Sequence, residues 1–404
     1  MGETETSMRK SGHFHFPLSM SNSSAAPAPR ELILIGGGHT HVLLLRQLGK
    51  NPLHNVRLTL VSDVMDAPYS GMLPGHISGI YSRAEMQINL TRLCNFAGAR
   101  FIHAKVRGLD LTRKQVLLPD NVAPVAADLV SINVGGTPSM EDVAGAEPWA
   151  IPAKPVPELL RGWRRAVETT PGGMGPFHIV IVGGGAGGVE LALAMHSQVG
   201  HKAAFTIIHG AAQLLPGHNS GVHRIMSRLL EKRGIATIMN ARVVEVVADS
   251  VRLDDGRCLP ADFTFWVTRI APPAWLAQSG LDTTPDGFVR TGPTLQAINY
   301  SWIFAAGDVV AIEGQKLPKS GVFAVRMAKP LENNLRAYLS GNSLRNYKPQ
   351  RRSLSLIGTA DGRAVASYGC LAGRSVLFWH WKTWIDCRFM RQFQNLPVPF
   401  SSIP

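Results

Sequence analysis

The residue pattern predicts an α/β protein of two parallel-sheet domains, the second inserted in the first, followed by a C-terminal α/β region. Three observations carry that expectation. Two glycine-rich turns occur, each fed by an apolar strand: ELILIGGGHTH from Glu31 to His41, and HIVIVGGGAGGVEL from His178 to Leu191. A later segment, YSWIFAAGD from Tyr300 to Asp308, ends in Gly-Asp well beyond the second turn. A tight strand-to-helix turn lets backbone N–H groups and the positive helix end meet a pyrophosphate. Two such turns predict two Rossmann-like dinucleotide-binding domains, and two dinucleotides held face to face suit hydride transfer.

Along the chain, Leu32–Ile35 is a continuous apolar run of the kind buried in parallel sheets, and Thr40–Gln47 is the helix after it. Arg57–Val61 is the next strand, closing the first βαβ unit at Ser62-Asp63. Ala67–Gly79 is punctuated by Gly and Pro and reads as irregular. Residues 100–118 read as a hairpin, and Asp128–Val134, ending at Gly135-Gly136, as another buried strand. Pro152–Pro157 reads as a crossover linker into the second unit, whose strands begin at His178 and Phe205. Ser320–Leu339 is apolar at helical spacing. The expected division is a disordered extension over 1–30, a first domain over 31–160 and 290–345, a second over 161–289, and an interface or membrane-contact region over 346–404.

The formal net charge of +13 admits nucleic acid, anionic lipid or anionic cofactors as partners. No nucleic-acid motif accompanies the scattered basic residues, so no nucleic-acid partner is expected. The four cysteines are widely separated, with no C-x-x-C pair, so neither a metal site nor a redox dithiol is expected. No run of about 18 apolar residues predicts a membrane-spanning helix. The expected location is cytoplasmic, on the inner face of the cell membrane if the tail meets lipid.

These signals in this order, with the words LILIGGGHTHVLLLRQL, APYSGMLPG, DLVSINVGGTP, AIPAKPV and KTWIDCRFM, resemble the pyridine nucleotide–disulfide oxidoreductase superfamily of FAD-dependent enzymes. That group includes type II NADH dehydrogenases and sulfide:quinone oxidoreductases, and the resemblance is strongest to the flavoprotein module fused to selenide, water dikinase and to the type II dehydrogenases. It covers roughly residues 31–393.

The resemblance implies FAD at the first turn, on Gly36, Gly38, His39, Thr40 and His41. Asp63 stands one residue beyond the place expected for a ribose-binding acid, which Ser62 fills. Val106 and Gly135 belong to the implied flavin set, and Gly307-Asp308 matches the second flavin signature, whose aspartate binds the ribityl chain. Gly183, Gly185 and Gly188 form a complete G-x-G-x-x-G for NAD(P)H. Glu190 stands where relatives place a glutamate near nicotinamide and flavin; proton relay and a helix-dipole partner are equally open roles. Lys154 resembles a lysine near the flavin, with an exposed linker lysine as the competing reading.

Three departures bear on function. His209 occupies the place of an NAD-selective acid, with Lys202 and Arg224 as cations that favour NADPH. Arg269 stands where relatives carry a glycine, and Ser320-Gly321 replaces an alanine–glutamine pair that lines the quinone pocket in type II dehydrogenases. The sulfide enzymes need cysteines beside the flavin; none lies in 135–183 or 307–339. In the tail, Phe378, Trp381, Ile385, Phe389 and Phe393 recur near helical spacing among basic residues. Such a helix over 375–393 can lie on an anionic membrane, pack on the first domain, or meet a second copy in a homodimer. The reading is an FAD-dependent NAD(P)H dehydrogenase with a second acceptor, a quinone foremost. A flavin-binding regulatory module linked to selenium metabolism, with little turnover, is the alternative.

Overall fold

The computed structural model describes residues 1–2, 28–169, 176–268, 270–350 and 352–397. Of the extension expected over 1–30, residues 3–27 therefore lie outside the described residues, as does Arg269.

The first sheet has five parallel strands, in the order Ile303–Ala305, Leu129–Ile132, Arg30–Ile35, Val56–Ser62 and Arg100–His103. Leu32, Ile33, Leu34 and Ile35 are buried on both faces, which is why their run is unbroken by polar residues. Four strands precede the second domain and one, Ile303–Ala305, follows it, as expected for an inserted domain. The strand order reverses between Arg30–Ile35 and Leu129–Ile132, and ligands of such sheets bind beyond the carboxyl ends at that reversal. The helix His39–Lys50 leaves this point and packs against the helices Leu90–Ala97 and Gly321–Leu339.

The hairpin expected over 100–118 is a correction. Arg100–His103 is the parallel edge strand of the main sheet, and the antiparallel ribbon starts at Gly108–Asp110, paired with Gln115–Leu117. Arg100–His103 holds two adjacent apolar residues between polar ends, a pattern too short to separate a parallel edge strand from a hairpin strand.

The second sheet is also parallel: Ala150–Pro152, Phe263–Trp266, Phe177–Val182, Ala203–His209 and Ala236–Met239. Its order reverses between Phe177–Val182 and Phe263–Trp266. The supposed linker is a second correction. Ala150–Pro152 is a strand of this sheet, and the helix Val156–Glu168 follows it at once, so the chain enters the second unit earlier than the prolines suggested. Beyond the two reversal points, Thr137–Pro138 pairs antiparallel with Ile270–Ala271 and joins the two domains.

The C-terminal region is an antiparallel sheet, Ser355–Gly358, Ala364–Tyr368 and Leu371–Ser375, running directly into the helix Val376–Gln394. The Ser375 side chain caps that helix by accepting from the Leu377 N–H. Its aromatic stripe divides. Phe389, Met390 and Phe393 are buried against the first domain, whereas Val376, Leu377, Trp381, Trp384 and Ile385 are exposed. No helix among the described residues is long and apolar enough to cross a membrane.

Candidate active site

The first glycine turn is locked from below by a residue that no motif announced. Asn133, at the end of Leu129–Ile132, is 2% exposed. Its carbonyl accepts from the Gly38 N–H at 3.2 Å, its Oδ1 accepts from the His41 N–H at 3.2 Å, and its Nδ2 donates to the Ala306 carbonyl at 2.7 Å. One amide thus ties the glycine turn to the strand that carries Gly307-Asp308. Gly36, at φ +91°, has no room for a side chain: a Cβ there would lie 2.6 Å from the Asn133 oxygen.

Thr40 and His41 serve this frame with their side chains. The Thr40 hydroxyl donates to the Ala324 carbonyl at 2.7 Å, and both ring nitrogens of His41 are engaged, by the Gly36 carbonyl and Ser131 Oγ, each at 2.8 Å. Burial pushes the His41 imidazole down to about 4, so it is neutral. His39 differs: its Nε2 is sealed from solvent without a partner, beside the rings of Tyr69 and Phe389. Burial first, then the charge of Lys154, pushes it down to about 4, against the opposing Asp308. The helix behind it has no side-chain cap and no acid in its first turn. An orphaned imidazole nitrogen and, beside the His41 N–H already taken by Asn133, the first N–H groups of a helix whose N-cap Gly38 supplies no side-chain cap fit a dinucleotide phosphate.

Around this turn, Gly307, at φ +77°, donates its N–H to Met327 Sδ at 3.1 Å. Asp308 Oδ2 lies 3.5 Å from Lys154 Nζ. Lys319 donates to the Val310 carbonyl and stands 4.1 Å over the Phe288 ring. Gly135 has φ +67° and open space where a side chain would be, and Val106 is buried. Ser62 is buried with its Oγ accepting from the Val64 N–H at 3.3 Å, so the exposed Asp63 is the carboxylate available at that strand end.

In the second turn, Gly183 (φ +124°) presses on the Val267 carbonyl and Gly188 on the Gly183 carbonyl. Gly185 meets nothing within 4 Å, which leaves the open side a ligand phosphate would use. His209 ends the strand Ala203–His209, and its Nδ1 accepts from the Gly184 N–H at 3.2 Å. Glu190 Oε1 accepts from the Gly358 N–H at 2.7 Å, and burial raises its carboxyl above the usual range.

The tail helix adds what sequence reasoning missed. Lys382 Nζ donates to the Gly71 carbonyl and to Asp386 Oδ2, both at 2.8 Å, and Tyr69 donates its hydroxyl to Asp386 Oδ1 at 3.0 Å. Lys382 and Asp386 side chains are 12% and 6% exposed, so this is an interior pair. Burial raises the Asp386 carboxyl; burial pulls Lys382 down, but the charges of Glu190 and Asp386 together with the Asp386 hydrogen bond outweigh it and leave Lys382 above the usual lysine range. The only sequence signal was a Lys–Asp spacing of one helical turn, which normally marks a solvated face. Glu190, Lys382 and Asp386 form one charged cluster, with Asp386 buried and the other two half-buried, next to the Gly71 segment and the Tyr69 ring.

The model of the family described as pyridine nucleotide-disulphide oxidoreductase matches residues 30–328. The chain belongs to that family. It is an oxidoreductase with FAD and NAD(P)H as its cofactors. The redox disulfide of the family's name has no counterpart here, since Cys94, Cys258, Cys370 and Cys387 are all free. Among the described residues, no group of three or more His, Cys, Asp or Glu side chains is placed to hold a metal ion.

Demethylphylloquinone reductase NdbB of Synechocystis is 24% identical over 307 residues, 71% of this oxidoreductase and 76% of that protein. The type II NADH:quinone oxidoreductase of Haemophilus influenzae is 25% identical over 216 residues, 50% of this chain and 48% of that one. In fold it is similar to the sulfide:quinone oxidoreductase of Aquifex aeolicus (TM-score 0.77, 20% identity, 91% and 92% of the two chains). It is likewise similar to NDH2 of Plasmodium falciparum in complex with NADH (TM-score 0.76, 15% identity, 92% and 99%).

Proposed function

We propose that this oxidoreductase passes electrons from NAD(P)H through FAD to a quinone. The observation that carries the reading is the pairing of Thr137–Pro138 with Ile270–Ala271. It brings together the segments leaving the reversal points of both sheets, where dinucleotides bind. Bound FAD would supply a two-electron centre able to take hydride from a nicotinamide and pass electrons on. The relatives named for quinone reduction support the acceptor.

In this reading Gly36, Gly38 and the N–H groups of His39 and Thr40 receive the flavin dinucleotide, His41 holds the turn from within through Asn133, Gly36 and Ser131, and Asp63, Val106, Gly135, Gly307 and Asp308 stand around it. Gly183, Gly185 and Gly188 receive the nicotinamide dinucleotide. Lys154, 3.5 Å from Asp308, would put a positive charge beside the bound flavin, where it would favour the negative charge that reduction develops. Reducing a quinone to a quinol takes two protons with two electrons, and hydride brings one. Glu190, whose carboxyl burial raises above the usual range, is the acid that relays the other, with Lys382 and Asp386 beside it in the same cluster. Cys94 is buried, and burial pushes its thiol up to about 12, so it offers no reactive thiolate for sulfide chemistry.

The exposed apolar face of the tail helix, with Arg388 against Trp384, suits an anionic membrane surface, where a lipid-soluble quinone resides. Liposomes of anionic lipid are expected to bind the protein, and Leu377→Glu with Trp384→Glu to release it; retention by the double variant contradicts the membrane contact. For the reaction itself, holoprotein under argon with NAD(P)H and a short-chain benzoquinone is expected to yield one quinol per donor oxidised. Donor oxidation without quinol, or neither, overturns the acceptor assignment.

A further inference from the structure

We infer that the second dinucleotide site selects a 2′-phosphorylated adenosine ribose, that is NADPH, and that Arg242 is the residue that reads the phosphate. This rests on the second glycine turn being the nicotinamide-dinucleotide site. In such sheets the adenosine ribose lies past the carboxyl end of the strand after the glycine-rich helix. An acid there bonds the 2′-hydroxyl and repels a 2′-phosphate. Here the strand Ala203–His209 ends in an imidazole whose Nδ1 is occupied by the Gly184 N–H, and burial holds His209 below the usual histidine range. The position therefore carries no negative charge.

A cation stands immediately beside it. The next residue, Gly210, has no side chain, and the stem of Arg242 fills that space: a Cβ at Gly210 would lie 3.5 Å from Arg242 Cγ and 3.7 Å from Nε. The Arg242 backbone is held in both directions by Asp254. Its N–H donates to Asp254 Oδ1 at 3.0 Å, and its carbonyl accepts from the Asp254 N–H at 2.9 Å. The side chain is exposed, and no ion pair among the described residues engages its guanidinium. A planar guanidinium on an anchored backbone, free of carboxylate partners, is suited to two-pronged phosphate binding.

The other cations do not compete. Lys202 precedes Ala203, at the amino end of the strand, and seven residues of strand at about 3.3 Å each separate it from the ribose edge. Arg224 is exposed on the following helix, Ser220–Lys232, but no contact places it against Gly210.

Titration of the FAD-loaded protein with ADP-ribose and with its 2′-phosphorylated form tests this by equilibrium binding, because neither probe carries a nicotinamide to be turned over. The 2′-phosphorylated probe is expected to bind at least about tenfold tighter, with a preference that shrinks as salt rises. Arg242→Glu is expected to remove that preference while flavin content stays as in the parent, and Arg242→Lys to keep part of it. Equal binding of the two probes by the parent, or a preference that survives Arg242→Glu, overturns the inference. Binding of neither probe overturns it together with the nicotinamide site on which it rests.

Discussion

Lys154 Nζ lies 3.5 Å from Asp308 Oδ2, and this pair spans the two nucleotide-binding domains. Lys154 follows the strand Ala150–Pro152 of the second sheet, and Asp308 follows Ile303–Ala305 of the first. The lysine is 37% exposed and the aspartate 16%. Solvent screening limits such a pair to about 1 kcal/mol or less. Its weight is thus in charge placement, not stability. Lys154→Ala is expected to leave the unfolding free energy within about 1 kcal/mol of the parent, whereas Asp308→Ala is expected to yield protein depleted of FAD. Chemical denaturation and flavin absorbance after purification measure the two. A large stability loss in Lys154→Ala would assign the pair a structural role instead.

Asn133 is expected to be the most sensitive polar residue of the first turn. Asn133→Ala removes the acceptor for the His41 N–H and the donor to the Ala306 carbonyl, leaving both groups buried. Orphaning two such groups costs about 2–6 kcal/mol. Unfolding curves of the apoprotein measure that loss, and flavin retention should fall with it. A variant as stable as the parent, with full flavin, contradicts the clamp.

The two glycine turns should separate by mutation. A Cβ at Gly188 runs into the carbonyl of Gly183, so Gly188→Ala must open the second turn. The expected outcome is normal FAD content with ADP-ribose binding weakened by at least about tenfold, equivalent to about 1.4 kcal/mol. Loss of flavin instead would mean that the second turn supports the first site.

Acid should loosen the first turn through its buried imidazoles. His41 is pushed down to about 4 from the ordinary 6.5 of a free histidine. The unfolded chain therefore binds this proton more readily than the folded one. Stability is complete above about pH 6.5 and is lost as pH falls toward about 4. Over that window one imidazole accounts for up to about 3 kcal/mol. His41→Gln is expected to be less stable at pH 7.5, having lost the Gly36 and Ser131 bonds, yet to show a shallower decline with acid. Parallel slopes for parent and variant, followed by urea unfolding from pH 7.5 to 4.5, would falsify this assignment.

What the sequence made legible were the features with a local rule. Glycines forced by close backbone contact, such as Gly36 and Gly183, are visible because no other residue fits, and Leu32–Ile35 is visible because both faces are buried. Features set by distant partners were not. Asn133 looks like any polar residue after a strand, and only the fold brings Gly38, His41 and Ala306 around it. Thr40 and His41 belong to the first turn by sequence, but that their side chains turn inward to Ala324, Gly36 and Ser131 is visible only in the fold. Lys382 and Asp386 carry the signature of a solvated helix face, and become an interior pair because Tyr69 and Gly71 cover them. Ala150–Pro152 hid as a strand because it is short and ends in proline, which a strand terminus tolerates.

The most direct test is a pair of anaerobic half-reactions followed by flavin absorbance. Mixing the oxidised holoprotein with NADPH should bleach the flavin, and adding a quinone to the reduced protein should restore the oxidised spectrum with quinol formed. A flavin that stays oxidised at millimolar donor, or a reduced flavin that quinone leaves unchanged, contradicts electron flow from the second glycine turn to the first and on to the acceptor.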